Sequence, residues 1–232
     1  MFITKESLNY DNKNIVVGKN QSFKFKKNGL YQTKTPNGNI IYSLESYKYI
    51  KGDTLMKDLK KVEEDKFISE YLMGVIDVLS DFLKKNKFDY IVNVPSSSIF
   101  LQKVYYKLLD LAGSTQPTIN IIKNHPNKIE FNRELALKKL NVDLVNKLEI
   151  DFYKNLSSHI KTGKFEAKKF HKPLLKFAKN MFTFETKTNL KNKKILIIDD
   201  NLATGTTMKN ILDSLSEQHN CLVVGLTLFK FT

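Results

Sequence analysis

The sequence predicts an α/β protein with a mostly parallel central sheet and helices on both faces of that sheet. Two runs, residues 89–94 and 195–198, have the composition of strands that are buried on both sides. Each run is followed by a short turn of small or hydroxyl-bearing residues and then by apolar residues at helical spacing. Strand, turn and helix in this order build a parallel sheet, whose ligands bind at the carboxyl ends of the strands.

The length of 232 residues allows one sizeable core and an appended subdomain. We predict a small β subdomain over residues 1–52 and an α/β domain over residues 53–232, with a helical insertion at about residues 135–190. The formal net charge is +14, and Arg133 is the only arginine among the 38 lysine and arginine residues. So basic a chain suits a polyanionic ligand, nucleic acid or an acidic partner.

Cysteine content and apolar patterning predict the compartment. Cys221 is the only cysteine, which excludes an intrachain disulfide and a cysteine-based zinc site. The first residues lack the apolar run of a signal peptide, and no apolar run approaches the length of a membrane span. We therefore expect a cytoplasmic protein that has no membrane partner.

Short β-rich pieces occupy the first 50 residues. Asn-Gly steps at residues 28–29 and 37–38 are typical of hairpin turns, and Pro36 supports the second turn. We expect a small antiparallel sheet or meander here. The alternative is that these strands cover one edge of the main domain.

A second group of elements surrounds a serine-rich turn. Helices are predicted over residues 65–85 and 99–111 from their apolar stripes, with the strand at 89–94 between them. Ser96, Ser97 and Ser98 separate that strand from the second helix. Three hydroxyl groups at this place suit either an anion site or the N-terminal cap of the helix.

Arg133 follows a third predicted strand, residues 118–122, and a polar loop. Its planar guanidinium group binds phosphate or carboxylate through two hydrogen bonds, which lysine cannot do. The residue either contacts a phosphate group or forms an ion pair with Glu130 or Glu134.

The insertion is predicted to be helical and is strongly basic. One helix is expected from Leu135 to Leu148 and another from near Pro173 to Phe182. Residues 151–194 hold 12 lysines against three acidic residues, a net charge of +9. A solvated face, nucleic acid and an acidic protein are the alternatives for this cluster.

His159 and His171 lie in the same part of the chain. Neither histidine has the spacing of a metal ligand, and both are predicted to be on the surface.

The most informative stretch follows the buried strand at residues 195–198. Asp199 and Asp200 stand where this strand is predicted to end, a small hydroxyl-rich turn covers residues 203–207, and a helix begins at Met208. Backbone N–H groups of such a turn and the positive end of the helix attract phosphate. Since paired carboxylates repel phosphate, they suit ribose hydroxyls or a metal ion that carries pyrophosphate. A closing strand is predicted over residues 221–231.

This stretch resembles the signature of type I phosphoribosyltransferases: an aliphatic strand, two acidic residues, two variable residues, then a small residue, Thr, Gly and a hydroxyl-rich turn. The match runs without a gap from residue 195 to residue 208. The resemblance implies a protein that binds phosphoribosyl pyrophosphate with Mg²⁺ and transfers ribose 5-phosphate to a nitrogen base. It implies that Asp199 and Asp200 are catalytic and hold the ribose hydroxyls. The residues that it implies for the 5-phosphate are Ala203, Thr204, Gly205, Thr206 and Thr207.

The resemblance also implies a pyrophosphate site made by Ser96, Ser97, Ser98 and Arg133. The serine turn departs from the family pattern, because many relatives carry a basic residue and glycines there. A Tyr-Lys-Tyr segment, a helix and a strand ending in Val94-Pro95 are similar to the ComF-like competence branch of the family. That branch usually has an N-terminal zinc module, which this chain lacks the cysteines to build.

Two other functions remain open from the sequence. One is a binding or regulatory protein that keeps the fold but no longer catalyses the transfer reaction. The protein can also be associated with nucleic acid, in DNA uptake or phage defence, through residues 151–194. A homodimer is a further expectation.

Overall fold

The structure, a computed structural model, describes residues 8–11, 14–17, 22–25, 30–35, 38–47, 65–96, 98–113, 119–166, 169–202 and 205–231. The strands in these ranges are β1 (Leu8–Asp11), β2 (Asn14–Val17), β3 (Ser22–Phe25), β4 (Tyr31–Lys34), β5 (Ile40–Tyr47), β6 (Tyr90–Asn93), β7 (Ile119–Lys123), β8 (Glu130–Phe131), β9 (Ala178–Lys179), β10 (Phe182–Thr186), β11 (Lys194–Leu202) and β12 (Leu222–Phe231). The α-helices are α1 (Asp65–Asn86), α2 (Ile99–Ala112), α3 (Arg133–Leu137), α4 (Val142–Thr162), α5 (Lys172–Leu175) and α6 (Thr206–His219).

Eight of the described strands form one mixed sheet. The order is β1-β2-β3-β5-β12-β11-β6, and β4 also pairs with β5. Strands β5, β12, β11 and β6 are mutually parallel and form the centre, whereas the pairs made by β1 to β4 are antiparallel. Helices cover this centre on both sides, which confirms the predicted α/β class with a mostly parallel central sheet.

The central strand β11 is buried on both faces, and this explains its uninterrupted aliphatic sequence. Alternate side chains divide between two apolar clusters. Ile195 and Ile197 pack with residues of α6 and the insertion, and Leu196 and Ile198 pack with residues of α1 and α2. All four side chains are 0% exposed. The backbone at the carboxyl end of β11 is therefore held by packing from both sides.

Strands β1 to β4 make antiparallel pairs and extend the central sheet at β5, which agrees with the alternative that this region covers one edge of the main domain. The β4–β5 connection is also held against α6. Thr35 Oγ1 and Asn39 Nδ2 donate to Asp213 Oδ1 over 2.7 Å and 2.8 Å. Gly38 in this turn has φ +86°, a conformation that glycine adopts readily. Gly38 of the second hairpin signal thus lies in a turn, while Pro36, Asn37 and the signal at 28–29 lie outside the described residues.

The insertion departs most from expectation. The strand predicted at residues 118–122 is β7, and it lies outside the central sheet, paired antiparallel with β10. The single helix expected from Leu135 to Leu148 is wrong, because α3 ends at Leu137 and Asn141 caps a new helix. The Asn141 side chain accepts a hydrogen bond of 2.9 Å from Leu144 N, which starts α4 at this point.

The second helix expected in the insertion is also wrong. Helix α5 ends at Leu175, and the following residues form β9 and β10. Asn180 between these strands has φ +59°, which a continuing helix cannot accommodate. Phe182 and Phe184 are buried in alternation with more exposed residues, which is the period of a strand.

His159 is buried, and its predicted surface position is wrong. It is 7% exposed and lies on the inward face of α4, which also includes Phe152 and Leu156. Its ring lies 5.3 Å and 5.6 Å from the rings of Phe165 and Phe170. The histidine therefore belongs to the core of the insertion, whereas His171 is exposed as predicted.

Gly225 on β12 offers a test of the packing between sheet and helix. A Cβ atom added there would lie 3.1 Å from Met208 Sδ, 3.2 Å from Ile41 Cγ1 and 3.2 Å from Leu212 Cδ1. We predict that Gly225→Val lowers the free energy of unfolding by about 1–3 kcal/mol, because overpacking displaces these neighbours. Denaturant unfolding measures the change. Leu222→Val on the same strand is the control, since Leu222 is 66% exposed; equal stability of both variants would contradict the packing described.

Candidate functional site

The carboxyl ends of β6 and β11 lie side by side. The two strands are parallel, with Ile198 opposite Asn93. Val94 N continues the pairing with a 2.8 Å hydrogen bond to Ile198 O. The serine turn after β6 and the acidic pair of β11 are therefore brought to the same edge of the sheet, which is where ligands of parallel sheets bind.

Asp199 and Asp200 lie within β11 and not after it. The strand continues to Leu202, so the expectation that it ends before the acidic pair is wrong. Because successive residues of a strand point to opposite faces, Asp199 follows the side of α6 and Asp200 the side of α1 and α2. Asp199 is half-buried, Asp200 is 4% exposed, and Asp200 N donates to Asp199 Oδ1 over 2.8 Å. The two carboxylates thus have different surroundings.

The turn after β11 leads into a helix whose N-terminal cap is glycine. Gly205 is buried and left-handed, with φ +69° and ψ 3°. It has no side chain with which to cap α6, and Thr206 and Thr207 form the first turn of that helix. A helix N-terminus capped in this way leaves space for an anion to approach the backbone. Ala203 and Thr204 lie outside the described residues.

Helix α6 is fixed by the apolar stripe that the sequence predicts. Met208, Ile211, Leu212 and Leu215 are buried against the central sheet. Since the helix is anchored along its length, its N-terminal turn has a defined position at the carboxyl edge of the sheet.

The serine turn acts as a helix cap. Ser98 is 0% exposed, and its Oγ accepts a 3.2 Å hydrogen bond from Leu101 N in the first turn of α2. Ser98 N donates to Ser96 Oγ over 3.1 Å, and Gln102 Nε2 donates to Ser96 O over 3.3 Å. The capping alternative is therefore correct for Ser98. The pyrophosphate role of this turn stays a prediction, and Ser97 lies outside the described residues.

Arg133 joins two helices of the insertion. Its Nη1 donates to Glu149 Oε2 in an ion pair, and its Nη2 donates to Asn146 Oδ1 over 2.6 Å. The ion-pair alternative thus describes the structure, although the partner is neither Glu130 nor Glu134. Glu130 pairs with Lys179 Nζ at 3.1 Å. Contact of Arg133 with pyrophosphate stays a prediction.

Several lysines of the basic segment, residues 151–194, are engaged locally. Lys169 pairs with Glu166 at 2.7 Å, and Lys194 Nζ donates to Asn86 O at the end of α1 over 2.7 Å. The backbone N–H of Lys194 donates a hydrogen bond to the Asp89 carboxylate, and Lys193 Nζ lies 3.1 Å from Asp89 Oδ1. Both contacts lower the pKa of the Asp89 carboxyl. Part of the local excess of charge therefore stabilises the junctions between elements.

Two features are absent from the described residues. Among them, no three His, Cys, Asp or Glu side chains gather in a way that could hold a metal ion. In the same ranges, no helix combines the length and apolarity needed to cross a membrane.

A groove that sequence reasoning missed lies between α6 and the insertion. It has a volume of about 240 Å³, and four lysines contribute to its walls. On α6 it is lined by Thr206, Asn210, Ser214 and Glu217, among others. These polar residues recur every three or four positions along a helix whose other face is apolar, and this spacing is the signal in the sequence. The opposite wall depends on tertiary packing of the insertion and has no such signal.

The fold and this edge of the sheet define a class of protein: an α/β protein in which a central parallel strand carries an acidic pair near its carboxyl end and is followed by a glycine-capped helix. Comparison with protein families identifies the class further. The model of the phosphoribosyl transferase domain matches residues 70–229, which is more than half of the chain. The chain therefore belongs to the phosphoribosyl transferase domain family. No curated protein matches it significantly.

Ser98 provides a test of the capping geometry. We predict that Ser98→Ala lowers the free energy of unfolding by about 1 kcal/mol, because Leu101 N loses its cap inside the protein. Thermal or denaturant unfolding of the protein without ligand measures the loss. Ser96→Ala is the comparison and should cost less, since Ser96 is only partly buried. A larger effect at Ser96 than at Ser98 would contradict the assignment of the cap.

Proposed function

We propose that the protein binds phosphoribosyl pyrophosphate and transfers ribose 5-phosphate to a nitrogen base, with release of pyrophosphate. The observation that carries this proposal is the junction of β11 and α6, where an acidic pair precedes a left-handed glycine at a helix N-terminus, within a chain of the phosphoribosyl transferase domain family. The residues proposed for the 5-phosphate are Ala203, Thr204, Gly205, Thr206 and Thr207.

Asp199 and Asp200 are the proposed ribose ligands. Their backbones are held by pairing of β11 with β12, which continues past them to Leu202, so little ordering is required when a ligand binds. Each carboxylate accepts hydrogen bonds from ribose hydroxyls. Their negative charge also favours a transition state that is cation-like at the ribose, and electrostatic stabilisation of this kind supplies much of the catalysis.

Mg²⁺ is the proposed cofactor. Asp199 and Asp200 offer oxygen donors of the kind that Mg²⁺ prefers, and this ion commonly binds through one or two carboxylates, substrate phosphates and water. Such a site does not require a cage made only of protein side chains. When bound, Mg²⁺ would offset the negative charge of pyrophosphate.

Pyrophosphate is proposed to lie beside the turn Ser96, Ser97 and Ser98, which is next to the acidic pair at the edge of the sheet. Arg133 is the proposed cationic contact. It would have to exchange its partner Glu149 for pyrophosphate, and because the two side chains are 42% and 29% exposed, their ion pair contributes little to stability.

A finer placement in the family is also proposed. The order of β5, α1 and β6, with Tyr47 ending β5 and Val94-Pro95 following β6, supports the ComF-like competence branch. Turnover of labelled phosphoribosyl pyrophosphate with a panel of nitrogen bases distinguishes an enzyme from a relative that only binds the ligand.

The acidic pair gives the main test of the proposal. We predict that Asp199→Asn with Asp200→Asn folds at least as stably as the wild type, because asparagine keeps an acceptor oxygen and carries no charge into the buried site. Affinity for phosphoribosyl pyrophosphate should fall by about 1–3 kcal/mol for each charge-assisted hydrogen bond removed. Calorimetric titration in the presence of Mg²⁺ measures the change.

Asp89→Asn is the matched control for this titration. Asp89 immediately precedes β6 and therefore lies at the opposite, amino edge of the sheet. Its replacement should leave the affinity unchanged. If the double variant binds as tightly as the wild type, Asp199 and Asp200 are not ribose ligands; if the wild type does not bind, the proposed function fails.

Arg133 and Glu149 form a second test. We predict that Arg133→Gln weakens binding of phosphoribosyl pyrophosphate by about 1–3 kcal/mol, since a charged donor to pyrophosphate is lost. Glu149→Gln should preserve or strengthen binding, because it releases the guanidinium group from its partner. Both changes should alter the free energy of unfolding by less than about 1 kcal/mol. Equal affinities of the two variants and the wild type would leave Arg133 with a structural role only.

A further inference from the structure

The groove between α6 and the insertion is a cationic site that the proposed transfer reaction does not use. Lys209 contributes from α6, and Lys139, Lys176 and Lys179 contribute from the insertion. The four side chains come from separate parts of the chain and meet at one concavity of about 240 Å³. Lys179 is paired with Glu130 at 3.1 Å, so Lys139, Lys176 and Lys209 supply the positive charge that an anion would meet here.

Uncharged polar side chains add hydrogen-bonding groups to this groove. Asn132 and Asn210 carry amide groups, and Thr206 and Ser214 carry hydroxyls. Hydrogen-bond donors together with ammonium groups are the usual surroundings of bound phosphate oxygens. The lysines are exposed or half-buried, so an anion from solution can reach them.

Acidic residues of the groove are placed on α6, in its second half. Asp213 accepts hydrogen bonds from Thr35 and Asn39, and Glu217 lies one helical turn further from the N-terminus. Lys209 belongs to the first half of the same helix, next to Thr206. Along α6, the cationic residue therefore lies toward the N-terminal end and the carboxylates toward the other.

We propose that this groove binds the polyphosphate chain of a small anion, either free or as the 5′-polyphosphate of a nucleotide. The ammonium groups of Lys139, Lys176 and Lys209 match the several negative charges of a di- or triphosphate better than those of a single phosphate. A volume of about 240 Å³ is below that of sites that enclose a whole drug-sized ligand, so the phosphate chain occupies the groove and a nucleoside would extend from it.

The groove is distinct from the proposed phosphoribosyl pyrophosphate site. Its lining residues follow α6 from Thr206 to Glu217, which at 1.5 Å per residue is a length of roughly 16 Å along the flank of the helix. The acidic pair and the serine turn do not line it. Thr206 in the first turn of α6 belongs to both sets of residues. The other residues that line the groove are separate from the proposed phosphoribosyl pyrophosphate site, so we expect the protein to hold both ligands at once.

Calorimetric titration with inorganic triphosphate tests the proposal, first alone and then with phosphoribosyl pyrophosphate and Mg²⁺ at saturating concentration. We expect one binding event in both conditions. Lys139→Gln with Lys176→Gln should weaken triphosphate binding by about tenfold or more and spare binding of phosphoribosyl pyrophosphate. Lys187→Gln with Lys191→Gln is the control, because these exposed lysines of the basic segment lie outside the groove.

Titration with ATP and GTP separates the two sources of the phosphate chain. Tighter binding of a nucleotide than of inorganic triphosphate identifies a nucleotide site, and equal or weaker binding identifies a site for free polyphosphate. No binding of any of these anions to the wild type overturns the proposal. Displacement of triphosphate by phosphoribosyl pyrophosphate, or equal affinity of the groove variant and the wild type, also overturns it. Failure of phosphoribosyl pyrophosphate to bind would refute the proposed function alone.

Discussion

Burial of β11 on both faces is the constraint on which the rest of the structure depends. Four aliphatic side chains, Ile195 to Ile198, are fully buried, and each contributes about 1.5–3 kcal/mol relative to exposure. Parallel pairing with β6 and β12 fixes the register of the same residues. Movement of the strand would expose apolar surface on two sides and break two ladders of hydrogen bonds. The backbone that carries Asp199 and Asp200 is therefore rigid before any ligand binds.

The same constraint gives the two carboxylates of the acidic pair different surroundings. In a continuous strand, two consecutive carboxylates cannot face the same side, so Asp199 follows α6 while Asp200 follows α1 and α2. Asp199 is more exposed and lies on the side of the glycine-capped helix. The sequence predicts that the strand ends at the acidic pair. Pairing with β12 instead continues to Leu202, opposite Lys230, and keeps both aspartates in the strand although aspartate is depleted in strands.

The accuracy of sequence-based prediction follows the strength of the periodic signal. The predicted helix at residues 65–85 is α1, and the stripe from Met208 to Leu215 is buried as expected, because long apolar stripes have few alternatives. In the insertion, leucines and phenylalanines fit a helical and a strand period over a few residues, so the predicted helix after Pro173 is wrong. The partner of Arg133 could not be predicted, since Glu149 reaches it only after α3 and α4 pack together. The burial of His159 can be predicted from the sequence, because His159 lies seven residues after Phe152 and therefore on the same face of the helix.

The positions of the lysines in the insertion matter more for the proposed phosphate site than the net charge of the chain does. The net charge of +14 is reduced locally wherever a lysine pairs with a neighbouring carboxylate, as Lys169, Lys179 and Lys193 do. Salt screens exposed charges beyond about 8 Å at physiological ionic strength, so distant lysines contribute little to the potential at the acidic pair. Lys139, Lys176 and Lys209 differ, because they border the helix whose N-terminal turn belongs to the proposed phosphate site. In the proposed function, they would raise the potential next to that turn and partly offset the repulsion between phosphate and the two carboxylates. Packing of the insertion against α6, and not its net charge, places lysines beside this helix.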